Sequence, residues 1–553
     1  MEASISHLIQ VEVGGVQSYI FDGSRLRGWR GASALLDRAE RVDIPEALAP
    51  WEEAVTVLRR GGGVVLLGIR EELLDADGEE RPLEKIEDTV ADAYRSSAPG
   101  AQVYSSRVPF DGDEMQEVLS ALSFRTTENR NQAPQPNPEA SLFGALARPC
   151  GSCGARPAET DSEFSDDGTL LCSVCEAKAT YGRKVRSEQM DESLLARFTE
   201  YLSGRPDSER QVTPEEVPGC VPEDLNAIAE VGNGSIALIQ ADGNSLGKTV
   251  QQIGSRAQYE ALSRGIADAV ETAVFSTLAK HGPRGTRHKT LPWEVIFLGG
   301  DDVLIATADD IGLKVARALT RRVEDETRVL FDEAPLGALD RPYLSMGTGV
   351  VFANPHVPMA TLRSLAHSLE RSAKDRTYAL MEGDSEREVS ALDFHRVMGS
   401  GSASLPYIRD YALRPDRTLG RSDVALTQRP FTIDELEQVI GVAEDWSREQ
   451  LPGHKLQALR ESLFDSPAAA MQQWTHVVAR ASDSERGTWQ ELNALTNPAD
   501  GLAGDAKRDR TPFLEHGGDT DRGPPPRPPP LLIAVIDARR RPAFAPVFPF
   551  PHL

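Results

Sequence analysis

The sequence predicts an α+β multidomain chain, on three observations. Two distant segments share one strand–glycine–helix pattern, two CxxC pairs lie between them, and a late stretch carries helix-spaced apolar residues. The length, 553 residues, exceeds what one hydrophobic core organises, so about three or four domains are expected. Apolar residues make up 40% of the chain and charged residues 26%, the balance of a buried core under a solvated surface. The formal net charge of −25 disfavours nonspecific nucleic-acid binding through the bulk field. A local nucleotide site stays open, because metal ions can join phosphate to carboxylates; if RNA is involved, basic partners hold most of it. No basic stretch followed by a long apolar run opens the chain, and no window approaches the roughly 18 apolar residues of a membrane span. The expected location is the cytoplasm, away from any membrane.

The first α/β segment occupies 1–125. TTENRNQAPQPNPEA, 126–140, reads as a polar, proline-bearing linker. The cysteine pairs define a small element over 141–185, and 186–230 reads as a connecting segment that ends acidic and rich in Pro and Gly. A second α/β segment fills 231–395, with the strand SIALIQA, a glycine turn, a helix and the strand EVIFL. Ile311, Val315, Leu319 and Val323 recur every four residues and predict an amphipathic helix over 310–331. LSMGTGVVFA, 344–353, reads as a strand, after which Leu362, Leu365, Ala366, Leu369 and Ala373 trace one helix face. An all-helical domain is expected over 396–505. Its TIDE motif is a capping box in which Thr432 and Glu435 satisfy free N–H groups, with Leu436, Val439, Ile440 and Ala443 on one face. The stretch 506–553 is charged, then proline-dominated, and reads as a disordered tail or a polyproline ligand, with LLIAVI at 531–536 isolated in it.

An internal duplication is the most informative feature. HLIQVEVGGVQSYIF at 7–21 and IALIQADGNSLGKTV at 236–250 both run from strand through glycine turn to helix start. LRRGGGVVLLGI at 58–69 and FLGGDDVLIAT at 297–307 both set a glycine cluster before an apolar strand. The copies differ in their acids. The second carries Asp242 at a strand end and Asp301–Asp302 in its hairpin; the first has Val13 or Glu12, then Gly63–Val64.

Carboxylates brought together from neighbouring strands repel one another unless cations join them. Two Mg²⁺ or Mn²⁺ ions suit such an oxygen-rich site, held by Asp242, Asp301 and Asp302, and suit in-line displacement at phosphorus. Gly243 lets the backbone approach a ligand, and Asn244–Ser245 precede a helix whose first N–H groups can hold phosphate. Lys248 lies one turn into that helix, Gly299 and Gly300 in the hairpin are expected to contact the nucleotide, and Lys374 on a later helix is a further contact for triphosphate. Simpler readings exist for each part: a solvated hairpin tip, an N-capping Asp242, surface lysines. The parts occurring together, in order, favour a nucleotidyl site.

Cys150-Gly-Ser-Cys153 and Cys172-Ser-Val-Cys175 have the spacing of two zinc knuckles. Four thiolates fill a tetrahedral shell, so the zinc is expected to be structural; thiol redox chemistry is the alternative. Cys220 stands apart as an ordinary thiol.

GGDD after an apolar strand resembles the palm domain of diguanylate cyclases, class III nucleotide cyclases and many polymerases. Over more of the chain, six features resemble the large palm-domain subunit of type III CRISPR effector complexes, the Cas-ten family. They are GGVQSYIFDGSRLRGWRGASALL at 14–36, the paired CxxC, ADGNSLGK at 241–248, LGGDD at 298–302, SAK at 372–374 and RPFTIDELE at 429–437. The resemblance implies two ferredoxin-like palm domains of the nucleotidyl cyclase type, only one of them catalytic. It implies synthesis of cyclic oligoadenylate messengers from ATP when target RNA is bound, with crRNA, target RNA and other effector subunits as partners. It assigns the metals to Asp242, Asp301 and Asp302, triphosphate to Lys374, and the Gly14–Gly15 turn and Arg25–Arg30 region to the inactive palm near a shared nucleotide cleft. Many members begin with a His-Asp nuclease domain. This sequence opens on the first palm and has no His-Asp dipeptide among its ten histidines, so no metal-dependent DNase activity is expected. A stand-alone nucleotidyl cyclase and a nucleotide-binding scaffold without turnover remain alternatives. The intact aspartate set weighs against the scaffold, and the helical C-terminal region favours assembly.

Overall fold

Valine, isoleucine and leucine dominate the first strand, β1 (Ile5–Gly14), where Leu8, Ile9 and Val11 are fully buried. The computed structural model describes residues 5–482 except 71–80, 111–114, 133–147, 162–168, 188–192, 286–288, 340, 382–387, 398–403, 410–426, 428, 449–452 and 466. After β1 come α1 (Val16–Ile20), α2 (Leu26–Arg38), the hairpin β2 (Val55–Gly61) and β3 (Val64–Arg70), α3 (Arg81–Ser97), β4 (Gln102–Pro109) and α4 (Met115–Gln132). The sheet order is β2-β3-β1-β4, antiparallel throughout.

The linker expected over 126–140 is corrected by α4, which continues to Gln132; residues 133–140 lie outside the described set. The polar residues of this turn of helix have partners on the open edge of β4. Thr126 is buried against Ser106, their hydroxyls 2.7 Å apart, and Asn129 donates to the Ser105 carbonyl at 2.7 Å. Edge carbonyls covered in this way are closed to other strands.

A two-stranded ribbon, β5 (Thr160–Asp161) and β6 (Leu170–Leu171), leads into α5 (Ser173–Ser187), and α6 (Leu194–Ser203) follows. Helix α5 crosses α2 closely enough that a Cβ at Gly31 would lie 1.8 Å from the Lys178 carbonyl oxygen, and one at Gly182 2.1 Å from that of Arg27. Within the expected connecting segment 186–230, α6 contributes to the core. Phe198 packs edge-on between Phe275 and Trp293, with ring centroids 5.4 and 5.1 Å away.

The second unit repeats the first. Strand β7 (Ile236–Gly243) is followed by α7 (Leu246–Val250), α8 (Arg256–Leu278), the hairpin β8 (Trp293–Gly299) and β9 (Asp302–Ala308), α9 (Gly312–Asp332) and β10 (Met346–Ala353). Its strands run β10-β7-β9-β8, antiparallel, the order of β4-β1-β3-β2. Helix α10 (Met359–Met381) then leads to β11 (Ala391–Arg396), which pairs parallel with β10.

The C-terminal region departs from the expected all-helical domain at its start. Phe431–Thr432, β12, pairs with β11 and extends the second sheet to six strands. The capping box is reciprocal: the Thr432 N–H donates to Glu435 Oε2 at 2.8 Å, and the Glu435 N–H to Thr432 Oγ1 at 3.2 Å. Helices α11 (Ile433–Arg448), α12 (Gly453–Asp465) and α13 (Pro467–Ala479) follow, with Leu436, Val439 and Ile440 buried. Residues 506–553 lie outside the described set. No helix among the described residues is long and apolar enough to cross a membrane.

The two units meet with approximate twofold symmetry. Helix α2 of the first packs on β8 of the second, and α8 of the second packs on β2 of the first. Such an arrangement is the internal equivalent of an isologous dimer interface. Buried Arg30 on α2 crosses it, donating to both carboxylate oxygens of Glu294 and to the Pro222 carbonyl. Arg197 ties α6 to both long helices through Asp37 at 2.7 Å and Glu271 at 3.0 Å. Removing either partner of a buried pair such as Arg30–Glu294 typically costs about 3–5 kcal/mol.

Candidate active site

Asp242 is the penultimate residue of β7, still paired with Gly347 of β10. Gly243 follows, and a Cβ on it would lie 2.7 Å from Asp301 Oδ2. The glycine is therefore required by the neighbouring carboxylate, a closer constraint than the ligand approach expected for it. Asn244 is buried, with its side-chain nitrogen 3.1 Å from Ser345 Oγ and its backbone N–H 2.8 Å from the Ser345 carbonyl. Arg341 donates to the Asn244 carbonyl at 2.7 Å and to Glu388 at 3.0 Å, clamping the turn from behind. Ser245 has φ of 53° in the left-handed region, where a non-glycine residue is uncommon.

Helix α7 has five residues, and Ser245, its N-cap, places no side-chain cap on it. Ser245, not Asp242, is therefore the N-cap of this helix. Lys248 is exposed, its ammonium 5.8 Å from the Tyr378 ring centre.

The β8–β9 hairpin turns through Gly300, with φ of 66°. One step beyond the Ala241–Val303 pair, Asp242 lies across from Asp302, and Asp301 stands at the tip beside Gly243. Gly299 faces the first unit: a Cβ on it would lie 3.4 Å from the Gly62 Cα. The two glycine hairpins are in close contact there.

Lys374 reaches this site from α10. Its ammonium donates to Asp242 Oδ2 and lies 3.1 Å from Glu370 Oε1 and 3.4 Å from the Gly243 carbonyl. Burial works against that ammonium, but the charges of Asp242 and Glu370 outweigh it and hold its pKa above the usual lysine range. Burial pushes the Asp301 carboxyl up to about 7, with the Asp242 charge adding to the shift. Burial likewise carries Asp302 to about 8, reinforced by Asp242 and then Asp301. Three acids with one lysine are short of positive charge. That donor set fits divalent cations with oxygen preference.

Several contributors carried no sequence signal strong enough to single them out. Gly347 and Gly349 on β10 let α10 lie close to the strand: a Cβ at Gly347 would be 2.5 Å from Lys374 Cγ, and one at Gly349 2.3 Å from the Ala366 carbonyl. The Gly-x-Gly alternation opposite Ala366 and Ala373 was the available clue. Glu370, Arg341 and Arg363 were also missed. Arg363 leaves α10 for the first unit, donating to Gln17 at 2.8 Å and stacking 4.1 Å from the Phe21 ring centre. In the region expected near a nucleotide, Arg30 pairs with Glu294, and Gly15 supplies the left-handed N-cap of α1, with φ of 64°.

Cys150, Cys153, Cys172 and Cys175 bring their sulfurs within 4.8 Å of one another, the only such ligand group among the described residues. The Cys153 and Cys172 sulfurs are 3.9 Å apart, close to the edge of about 3.8 Å for a tetrahedron of zinc–sulfur bonds. The backbone N–H groups of Ser152 and Cys175 point at the first sulfur of each knuckle, 3.4 Å away. Arg156 ties the element to Asp22 of the first unit at 2.7 Å.

Residues 235–379 match the family model described as Cas10/Cmr2, second palm domain. No curated protein matches the chain in sequence. Among solved structures, Csm1 of T. onnurineus is similar at 15% identity and a TM-score of 0.49, over 97% of this chain and 70% of that one. An apo Csm1–Csm4 cassette is similar at 15% and 0.45, over 97% and 70%. A Csm1–Csm4 cassette in complex with cA4 is similar at 15% and 0.40, over 68% and 53%. The chain thus spans about half the length of the solved chains it matches first. The segment that matches the second palm domain of Cas10/Cmr2, 235–379, contains Asp242, Asp301, Asp302 and Lys374.

Proposed function

We propose that the chain serves as the large subunit of a type III CRISPR effector complex and makes cyclic oligoadenylates from ATP when target RNA is bound. The observation that supports this reading is that Asp242 and Asp302 stand on paired strands, with Asp301 at the hairpin tip and Lys374 on Asp242, inside a segment that matches the family's palm. Mg²⁺ or Mn²⁺ held by the three aspartates would supply Lewis-acid stabilisation of charge on the phosphoryl oxygens and orient them for in-line attack. The protein's own contributions follow from its geometry. Lys374 offers a positive charge to the triphosphate at the mouth of the acid cluster, and exposed Lys248 adds a second. The Arg341–Asn244 clamp keeps the 242–245 turn fixed so that Asp242 needs little rearrangement on binding. An acidic chain of net charge −25 leaves crRNA and target RNA to basic partner subunits.

The test is product analysis by mass spectrometry. The assembled complex with ATP, Mg²⁺ or Mn²⁺ and target RNA is expected to yield cyclic oligoadenylates, and Asp301→Ala/Asp302→Ala to yield none. Product from the double variant at the wild-type rate would overturn the site assignment.

We also propose that the four cysteines hold structural zinc, which staples an element with little core of its own to the first palm. Metal analysis is expected to give about one zinc per chain, lost in Cys150→Ser/Cys153→Ser together with thermal stability. A zinc-free wild-type chain that melts at the same temperature as the variant would contradict this.

A further inference from the structure

The ion-pair chain along α10 runs deeper than the lysine expected to meet triphosphate. Glu370 lies one helical turn before Lys374, and its side chain is 3% exposed. One of its oxygens is 3.1 Å from the Lys374 ammonium, and the other is 3.0 Å from His367 Nδ1. Gln240, on the strand that carries Asp242, approaches the same ring nitrogen at 3.3 Å. Gly347 pairs across the sheet with Asp242 and leaves room for the lysine stem, so the ammonium is delivered directly between Asp242 and Glu370.

Lys374 is therefore shared between two carboxylates of different character. Asp242, with a side chain 29% exposed, faces the site; Glu370 is sealed behind it. An ammonium and a divalent cation compete for one Asp242 carboxylate, because like charges repel at such range. We infer that Lys374 is the resident counterion of Asp242 and that Glu370 is a positioning residue: it retains the ammonium when a cation takes Asp242, keeping Lys374 at the site. This rests on the reading of Asp242, Asp301 and Asp302 as cation ligands.

Mn²⁺ titration of the full chain without nucleotide, followed by electron paramagnetic resonance, tests it on variants checked for fold by circular dichroism. Lys374→Met is expected to bind Mn²⁺ about tenfold more tightly, since a competing charge is gone. Glu370→Gln is expected to weaken binding about threefold or more, because Lys374 then stays on Asp242. With Lys374→Met already present, Glu370→Gln should change affinity by less than about twofold. No tightening in Lys374→Met, or an undiminished Glu370→Gln effect in that background, overturns the inference. Asp242→Asn that binds Mn²⁺ as wild type overturns the underlying reading instead, so the two failures are separable.

Discussion

The two palms share a hairpin and differ in what stands behind it. Gly62 in the first and Gly300 in the second are both left-handed, with φ of 65° and 66°, but the next residue is so only in the first, where Gly63 has φ of 81°. Cross-strand pairing aligns Gly63 with Asp301, Val64 with Asp302 and Glu12 with Asp242. Behind the first hairpin the space is filled. Buried Glu40 accepts from the Gly63 N–H at 2.6 Å and from the Tyr94 hydroxyl at 3.1 Å, and a Cβ at Gly63 would lie 2.2 Å from Val16 Cγ2. Glu12 retains a carboxylate but spends it on Arg130. Behind the second hairpin stand Asp242 and Lys374, and Asp301 and Asp302 are half-buried beside them. The comparison teaches that the glycines serve the turn, while the residues packed behind the tip decide whether it carries acids.

The largest expected effect comes from forcing the first hairpin to resemble the second. Gly63→Asp puts a side chain where φ is +81° and Val16 already sits, and is expected to cost about 4 kcal/mol in denaturant unfolding. A loss under about 1 kcal/mol would show that the space is not filled as described.

Glu40 gives the next effect. Burial, then the Asp37 charge, raises its carboxyl from 4.5 to about 7. The folded state thus holds its proton more tightly than the unfolded chain. Its contribution is fully favourable below about 4.5, declines as pH rises and levels off above about 7. The decline amounts to about 3 kcal/mol. Glu40→Gln, which keeps an acceptor for Gly63 and Tyr94, should flatten that part of the stability–pH curve and exceed wild type at pH near 8. A curve of unchanged slope would contradict the buried-acid assignment.

The smallest effect is Gly300→Ala. No atom lies within 4 Å of the added Cβ, so only the left-handed backbone is penalised, by about 1 kcal/mol. Equal losses for Gly63→Asp and Gly300→Ala would erase the contrast between the hairpins.

Much of this frame was legible because it rests on local signals. Strand–glycine–strand spacing exposes the duplication, CxxC spacing groups the cysteines, and Thr432 with Glu435 marks a helix start. The acid motifs of the candidate site, Asp242 and Asp301–Asp302, stand out for the same reason: each sits at a strand end beside glycine. What escaped depends on partners far away in sequence. Residues 126–132 look like a linker until β4 supplies acceptors for Asn129 and a buried neighbour for Thr126. Phe431–Thr432 reads as a helix cap and is also an edge strand, because β11 offers it a free side. Choosing Glu12 over Val13 as the counterpart of Asp242 requires the register of two strand pairs. Glu370 reads as one more helical acid until Gly347 and Gly349 bring α10 down onto β10.

The most direct measurement gives the second hairpin the residues of the first. Asp301→Gly/Asp302→Val reproduces Gly63–Val64 in the second palm. Melting temperature and the products formed from ATP, divalent cation and target RNA are then read on the same complex. Retained folding with complete loss of cyclic oligoadenylate is the predicted result. Product formed at the wild-type rate by that variant would contradict the division of labour between the two palms.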